Sequence, residues 1–541
     1  MKKTSLLLFL LLFIGKSAYL QSSKPDRPKL VVGIVVDQMR WDYLYRYFDR
    51  YQEGGFKRLM QEGFNCQKAY INYLPSYTAP GHAGIYTGSV PALHGIVGND
   101  WIDNRSGKSW YCTEDTTVTS IGGSQAGKMS PRNMLATTFS DELRLATNFR
   151  ARAFGISIKD RGAILPAGHS ANAAFWYDGS NGAFISSSYY LQQLPAWLQQ
   201  FNKRNVGDSL INLNWHTLYP IQTYVQSTAD SNRYEGLDKG ASAPVFPHLT
   251  SAAVSSRDKG AIRSTPYGNT LVRMMAEACI KAEGLGTGEV TDFLAISFSS
   301  SDYIGHKYGP NAIEVEDSYL RLDQDLAYLF SFLDKQVGAG NYTVFLSADH
   351  GGAHNARFLQ DHKIPAKALG MNAFTNDLNQ HLLQETGVDS IVHMISNYQV
   401  YFNAPAIEEL NREEVKAATK RWLMAQDGVT RVFDMEEPDN NHPSALYNQA
   451  INGYFANRCG ALQIILNPGW YDAYLPTGTT HGSWNPYDTH IPLIWYGWGI
   501  NTGESYKRVN MTDIAATLSA LLHIQEPNAC IGEVIEEVLK K

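Results

Sequence analysis

Apolar positions along the 541-residue chain fall into runs of two kinds. Five short runs are almost continuously apolar and rich in β-branched residues: Lys29–Val36 (KLVVGIVV), Arg152–Ile158, Asp292–Phe298, Tyr342–Ala348 and Ile491–Gly497. Such runs lack the in-and-out alternation of a half-exposed strand and predict parallel strands covered on both faces. Between them, apolar residues recur at helical spacing. Val315, Tyr319, Leu322, Leu326 and Leu333 mark one face of a helix over Glu314–Gln336. The stretch NMTDIAATLSALLHI predicts a last helix with Thr512 as its cap. Strands alternating with helices predict an α/β sandwich, with a mostly parallel central sheet covered by helices on both faces.

Two stretches break the alternation. Residues from about 205 to 288 are polar and irregular. Residues from about 366 to 467 hold a charged helix (Ile407–Gln426) between candidate strands YQVYFN and VTRVFD. Both are expected to be insertions that cap the sheet. The start, MKKTSLLLFLLLFIGKSAYLQSS, has two lysines, an apolar run from Leu6 to Ile14 and then small residues. That is the pattern of a cleaved signal peptide, and the run is too short to span a bilayer. Residues 1–20 are therefore expected to be removed, leaving one domain with its insertions over 21–541 in the periplasm or outside the cell, with no membrane anchor. A formal charge of −6 gives no sign of a nucleic-acid partner. Five scattered cysteines without a CxxC pair give no support for a cysteine zinc site.

The strand exits carry the chemistry. Open α/β sheets bind ligands beyond the carboxyl ends of their strands. Asp37 follows the first run and Lys159 the second; Asp302 and His306 follow the third; Asp349 and His350 end the fourth. Asp302 and His306 are four apart, so a helical turn puts them on one face. His481 precedes the glycine turn that feeds the last run. Imidazoles with carboxylates suit zinc, and six such donors make two three-ligand sites. Paired metals can clamp the attacking and leaving oxygens of an in-line displacement.

Thr78 lies just before Pro80 at an expected helix start. It is either a simple helix cap or a nucleophile placed where negative charge is favoured. Lys159 and Arg161, two apart, are either an exposed turn or a pair of cations facing a multiply charged anion; on extended backbone both side chains point to one side. Asn99, after Gly98, is a candidate donor to the same anion.

In these motifs, taken in order from KLVVGIVVDQMRWDYL to THGSWNPYDTHIPLIWYG, the chain resembles the alkaline phosphatase superfamily, and within it the phosphate-irrepressible, PafA-type alkaline phosphatases. The resemblance implies two zinc ions: one held by Asp37, Asp349, His350 and Thr78, the other by Asp302, His306 and His481. It implies a phospho-threonine at Thr78 and non-bridging phosphate oxygens held by Asn99, Lys159 and Arg161. The implied substrates are small phosphate monoesters, acted on by a monomer. Pro80 departs from the pattern expected of PafA-type relatives, yet proline suits a helix start.

A phosphodiesterase or nucleotide pyrophosphatase of the superfamily would share the zinc sites and Thr78, but the Lys159–Arg161 pair argues against it. A sulfatase needs C/S-x-P-x-R where this chain has Thr78-Ala-Pro-Gly-His82. Thr78 and the export signal disfavour a manganese mutase with a serine nucleophile. A non-catalytic phosphate- or metal-binding protein would hold zinc without turnover.

Overall fold

The computed structural model describes residues 26–255, 258–437, 444–473 and 475–540. The expected signal peptide lies outside them. Eleven strands form the central sheet: β1 (Leu30–Val36), β2 (Phe64–Tyr70), β3 (Ser120–Ile121), β4 (Ala153–Ser157), β5 (Ala173–Asp178), β6 (Ala183–Ser187), β7 (Asp292–Phe298), β8 (Tyr342–Ser347), β9 (His490–Ile491), β10 (Leu493–Gly497) and β11 (Gly503–Asn510). Their order is β9-β2-β10-β8-β1-β7-β4-β5-β6-β3, with β11 also against β2. The middle of the sheet, β8-β1-β7-β4-β5, is parallel throughout. All seven residues of β1 and of β7 are buried, as continuous apolar runs require. Fully burying one such Val or Ile is worth about 1.5–3 kcal/mol.

The run Ile491–Gly497 departs from expectation. Its strand β10 is antiparallel to both β8 and β2. Burial on two faces makes a run apolar whichever way it points, so composition could not give its direction. Strand β2 was not foreseen because FNCQKAY is polar. Its buried Asn65 and Gln67 side chains both donate to the Tyr45 hydroxyl.

The helices that position the site are α1 (Thr78–Thr87), α2 (Asp160–Ala167), α3 (Tyr267–Glu283), α4 (Ser300–Tyr308), α5 (Ile313–Leu333) and α6 (Asp513–Leu522). The expected apolar stripe of α5 is buried from Val315 to Leu333. Thr512 precedes α6 but makes no side-chain cap. Asp513 does the local work instead, accepting the amide hydrogens of Asn510 and Glu533.

Within 205–288, α3 packs its Leu271, Val272, Met275 and Ile280 into the main core, so this stretch ends in a core helix. Within 366–467, a four-stranded antiparallel sheet joins Val392–Ser396, Gln399–Phe402, Leu462–Leu466 and Val429–Asp434. Helices Met371–Thr386 and Arg412–Met424 close over it around a separate cluster that includes Leu378, Val400, Leu423 and Leu462. The five cysteines are unpaired, and burial pushes the Cys66 and Cys459 thiols up to about 12.

Candidate active site

The neighbouring parallel strands β8, β1, β7 and β4 end at one rim. Beyond them stand Asp349 with His350, then Asp37, Asp302 and Lys159 in the same order. Helix α4 sets Asp302 and His306 one turn apart, with Asp302 Oδ1 3.2 Å from His306 Nε2. His481 Nε2 lies 3.9 Å from the same oxygen. These three form one group of donors within 4.8 Å of one another; Asp37, Asp302 and His350 form a second. Asp302 is common to both. Asp349 flanks the second group, its Oδ2 3.6 Å from His350 Nε2.

Three histidines share one arrangement. His306 Nδ1 donates to the Thr479 carbonyl, His350 Nδ1 to that of Gly351 and His481 Nδ1 to that of Ser76, each at 2.9 Å. A carbonyl only accepts, so each Nδ1 carries a hydrogen, which leaves Nε2 as the ring nitrogen aimed toward the carboxylates. The His350 and His481 rings stack at 3.5 Å, which brings the two groups together.

The charges do not balance within the protein. The Lys159 ammonium lies 2.8 Å from Asp37 Oδ2 and 2.6 Å from Asp302 Oδ2. It is the one lysine among three buried carboxylates. Burial, and then the neighbouring Asp349 charge, push the Asp37 carboxyl well above its usual range. Burial acts the same way on Asp302, but His306 and Lys159 outweigh it and hold that carboxyl well below. Burial pushes the His350 and His481 imidazoles down, so they add no positive charge; burial acts the same way on His306, but the Asp302 carboxylate outweighs it and raises that imidazole. Asp37 Oδ1 and Asp349 Oδ2 are buried without a hydrogen-bond partner. Unpartnered carboxylate oxygens beside oriented Nε2 atoms fit metal cations.

Thr78 opens α1. Its side chain does not cap the helix; Oγ1 lies 3.3 Å from His350 Nε2, at 1% exposure. Gly81 lets this helix end press on the rim, because a Cβ there would sit 2.4 Å from the Asp349 carbonyl oxygen. Asn99 Oδ1 accepts the Ala79 amide hydrogen at 2.9 Å, which leaves the Asn99 NH2 as its donor end. Strand geometry does not persist through Lys159 and Arg161. Lys159 is the last extended residue and Arg161 is already in α2. Arg161 Nη1 donates to the Tyr111 hydroxyl at 2.9 Å, and its Nε is buried without a partner. The site thus joins Asp37, Thr78, Lys159, Asp302, His306, Asp349, His350 and His481 directly, with Asn99 tied to the start of α1 and Arg161 tied to Tyr111.

Residues 31–488 match the type I phosphodiesterase / nucleotide pyrophosphatase family. Alkaline phosphatase PafA of Elizabethkingia meningoseptica is 47% identical over 538 residues, covering 98% of each chain. The crystal structure of wild-type alkaline phosphatase PafA superposes with a TM-score of 0.94 at 47% identity, over 96% of this chain and all of that one. The chain belongs to this family, in its PafA-type branch.

A Myroides odoratus protein named calcium-transporting ATPase is also similar to this PafA-type chain, at 50% identity over 97% of each. Among the described residues, no helix is long and apolar enough to cross a membrane.

Sequence reasoning missed two residues that shape this PafA-type site, Gln38 and Tyr111. Gln38 follows Asp37 with a left-handed φ of 63°. Its amide hydrogen goes to Asp349 Oδ1 at 3.2 Å and its carboxamide donates to Asp302 Oδ1 at 2.8 Å. A strained residue held by two candidate ligands marks a constrained site. His82 supports the site from behind: it donates from Nδ1 to the Thr78 carbonyl at 2.9 Å, with Asp349 Oδ2 at 3.3 Å, and its Nε2 accepts from the Ser297 hydroxyl. Tyr111 lies far from any rim motif, and only a fold could bring it to Arg161. His490 stacks between Trp41 and Tyr70 and bonds to the Gln67 carbonyl.

Proposed function

We propose that this chain is an exported, zinc-dependent phosphomonoesterase that works through a phospho-threonine at Thr78. The observation that carries the reading is the Thr78 hydroxyl beside two donor groups that share Asp302, on the rim that also presents Lys159. Asp37, Asp349 and His350, with Thr78, would hold one zinc ion, and Asp302, His306 and His481 the other. When bound, zinc supplies Lewis-acid charge and makes a neighbouring hydroxyl easier to deprotonate.

The protein's own groups do the rest. The start of α1 favours negative charge on Thr78 Oγ1. Thr78 Oγ1 gives up its proton to solvent and attacks phosphorus; the Oγ1–P bond forms, and the ester oxygen departs with the electron pair of its broken P–O bond and takes up a proton from solvent. Water then attacks the phospho-threonine, breaks the Oγ1–P bond and releases inorganic phosphate. Asn99, Lys159 and Arg161 hold the non-bridging oxygens through both steps. A monoester dianion gives two cations more charge to compensate than a diester monoanion, so the Lys159–Arg161 pair supports monoesters over the diesters named in the family description. The PafA alkaline phosphatase relative supports the same choice.

Acid quenching during turnover of a phosphate monoester, followed by peptide mass spectrometry, tests the proposal. A phosphate on the Thr78 peptide is expected. Full turnover in a Thr78→Ala variant, or a phosphate trapped elsewhere, would contradict it.

A further inference from the structure

Arg161 has an aspartate directly before it and yet makes no ion pair with it. Both oxygens of Asp160 are already engaged. Oδ1 accepts the Tyr111 hydroxyl hydrogen at 2.8 Å, and Oδ2 accepts that of Thr113 at 2.8 Å. The Tyr111 oxygen in turn accepts from Arg161 Nη1 at 2.9 Å. The phenol is thus wedged between a cation and the anion beside it in sequence. It must be neutral to donate one way and accept the other, and burial does push its hydroxyl well above the ordinary range.

The same hairpin reaches both Asn99 and Arg161. Strands Asp100–Ile102 and Ser109–Tyr111 pair, with Asp100 opposite Tyr111. The Cys112 amide hydrogen goes to the Asn99 carbonyl at 2.9 Å. The phenol is therefore carried on a strand whose next residue is pinned to Asn99, rather than on a free loop. A guanidinium fork pinned at one Nη keeps its planar face fixed, and its buried Nε–H stays unpartnered.

We infer that Tyr111 is a positioning residue that sets the preference for doubly charged substrates: its hydroxyl holds the Arg161 fork off Asp160, so that the guanidinium's charge is available to a phosphate dianion. This rests on Arg161 contacting phosphate, as proposed above. Without the hydroxyl, Nη1 loses its acceptor and Asp160 Oδ1 loses its donor. The two charges are then free to pair with each other, which withdraws the cation from the substrate.

The test is a double-mutant cycle on the zinc-loaded enzyme with Tyr111→Phe, Arg161→Ala and the double variant. The substrates are p-nitrophenyl phosphate and methyl p-nitrophenyl phosphate, with inorganic phosphate as competing inhibitor. Tyr111→Phe is expected to lower monoester kcat/KM and phosphate affinity by about tenfold each, and diester kcat/KM by no more than about twofold. The double variant is expected to match Arg161→Ala alone. Equal losses on both substrates, or a double variant that falls by the full product of the single effects, would overturn the role of Tyr111 while leaving Arg161 in place. An Arg161→Ala variant with an unchanged monoester-to-diester ratio would instead overturn the phosphate contact, and this inference with it.

Discussion

The Asn99 carboxamide oxygen accepts the amide hydrogen of Ala79, the residue after Thr78, at 2.9 Å. The bond locks the orientation of the amide and ties it to the helix turn that carries the proposed nucleophile. Asn99→Ala is therefore expected to lower monoester kcat/KM by roughly 10- to 100-fold through loss of one preorganised donor. Asn99→Asp keeps the acceptor for Ala79 but replaces the donor with a charge that repels phosphate. Steady-state kinetics should rank it below Asn99→Ala, and the reverse ranking would remove Asn99 from the phosphate site.

Thr78 makes no structural cap, so its removal should cost chemistry and little else. Thr78→Ala is expected to lower turnover by at least about 10³-fold while metal content stays at the wild-type level. Elemental analysis beside kinetics checks this. Loss of metal with activity would mean that the hydroxyl is needed to build the site and leave its role as nucleophile unsupported.

Lys159 stands between two candidate ligands, whereas Arg161 does not. Lys159→Ala frees two ligand oxygens from a competing cation, so it should lower catalysis without weakening metal retention, and Arg161→Ala should lower catalysis with metal retention unchanged. Together the two changes are expected to lower monoester hydrolysis at least about 100-fold more than diester hydrolysis. Equal losses would mean that the pair does not select monoesters.

Stability should fall as pH rises from neutral. Burial disfavours the charged form of His248, but its bonds to Asp238 and Glu314 outweigh this and raise the imidazole from 6.5 to about 9. Burial and the nearby Glu314 charge raise the Glu235 carboxyl from 4.5 to about 9. In both cases the folded state binds the proton more tightly than the unfolded chain. The His248 contribution is complete below about 6.5 and is lost as pH climbs to about 9; the cost of ionising Glu235 grows over the window from about 4.5 to 9. Thermal melts are expected to show a midpoint lower by at least about 3 °C at pH 9.5 than at pH 7. Glu235→Gln should shrink that drop, and an unchanged drop would place the sensitivity elsewhere.

Much of this site was legible in the sequence because its donors sit directly at strand exits. Asp37, Lys159, Asp302, Asp349 and His350 each follow an apolar run within a few residues, and the parallel order of the sheet converts those exits into one rim. What hid was of two kinds. The direction of β10 hid because two-sided burial erases alternation. Tyr111 and Gln38 hid because their work is done across long sequence separations, with Gln38 reaching residues 264 and 311 positions away. The sharing of Asp302 between two donor groups is a matter of ångströms that spacing does not encode. The small antiparallel sheet around Val400 and Leu462 was read as strands beside a charged helix, but its own core follows from long-range pairing alone.

The central claim is metal-dependent cleavage of phosphate monoesters. The most direct test compares rates on an aryl phosphate monoester and the matching diester at mildly alkaline pH, with zinc and after chelation. Fast monoester hydrolysis that chelation abolishes and zinc restores, with a slow diester, is predicted. Preference for the diester, or monoester hydrolysis that survives complete metal removal, would contradict it.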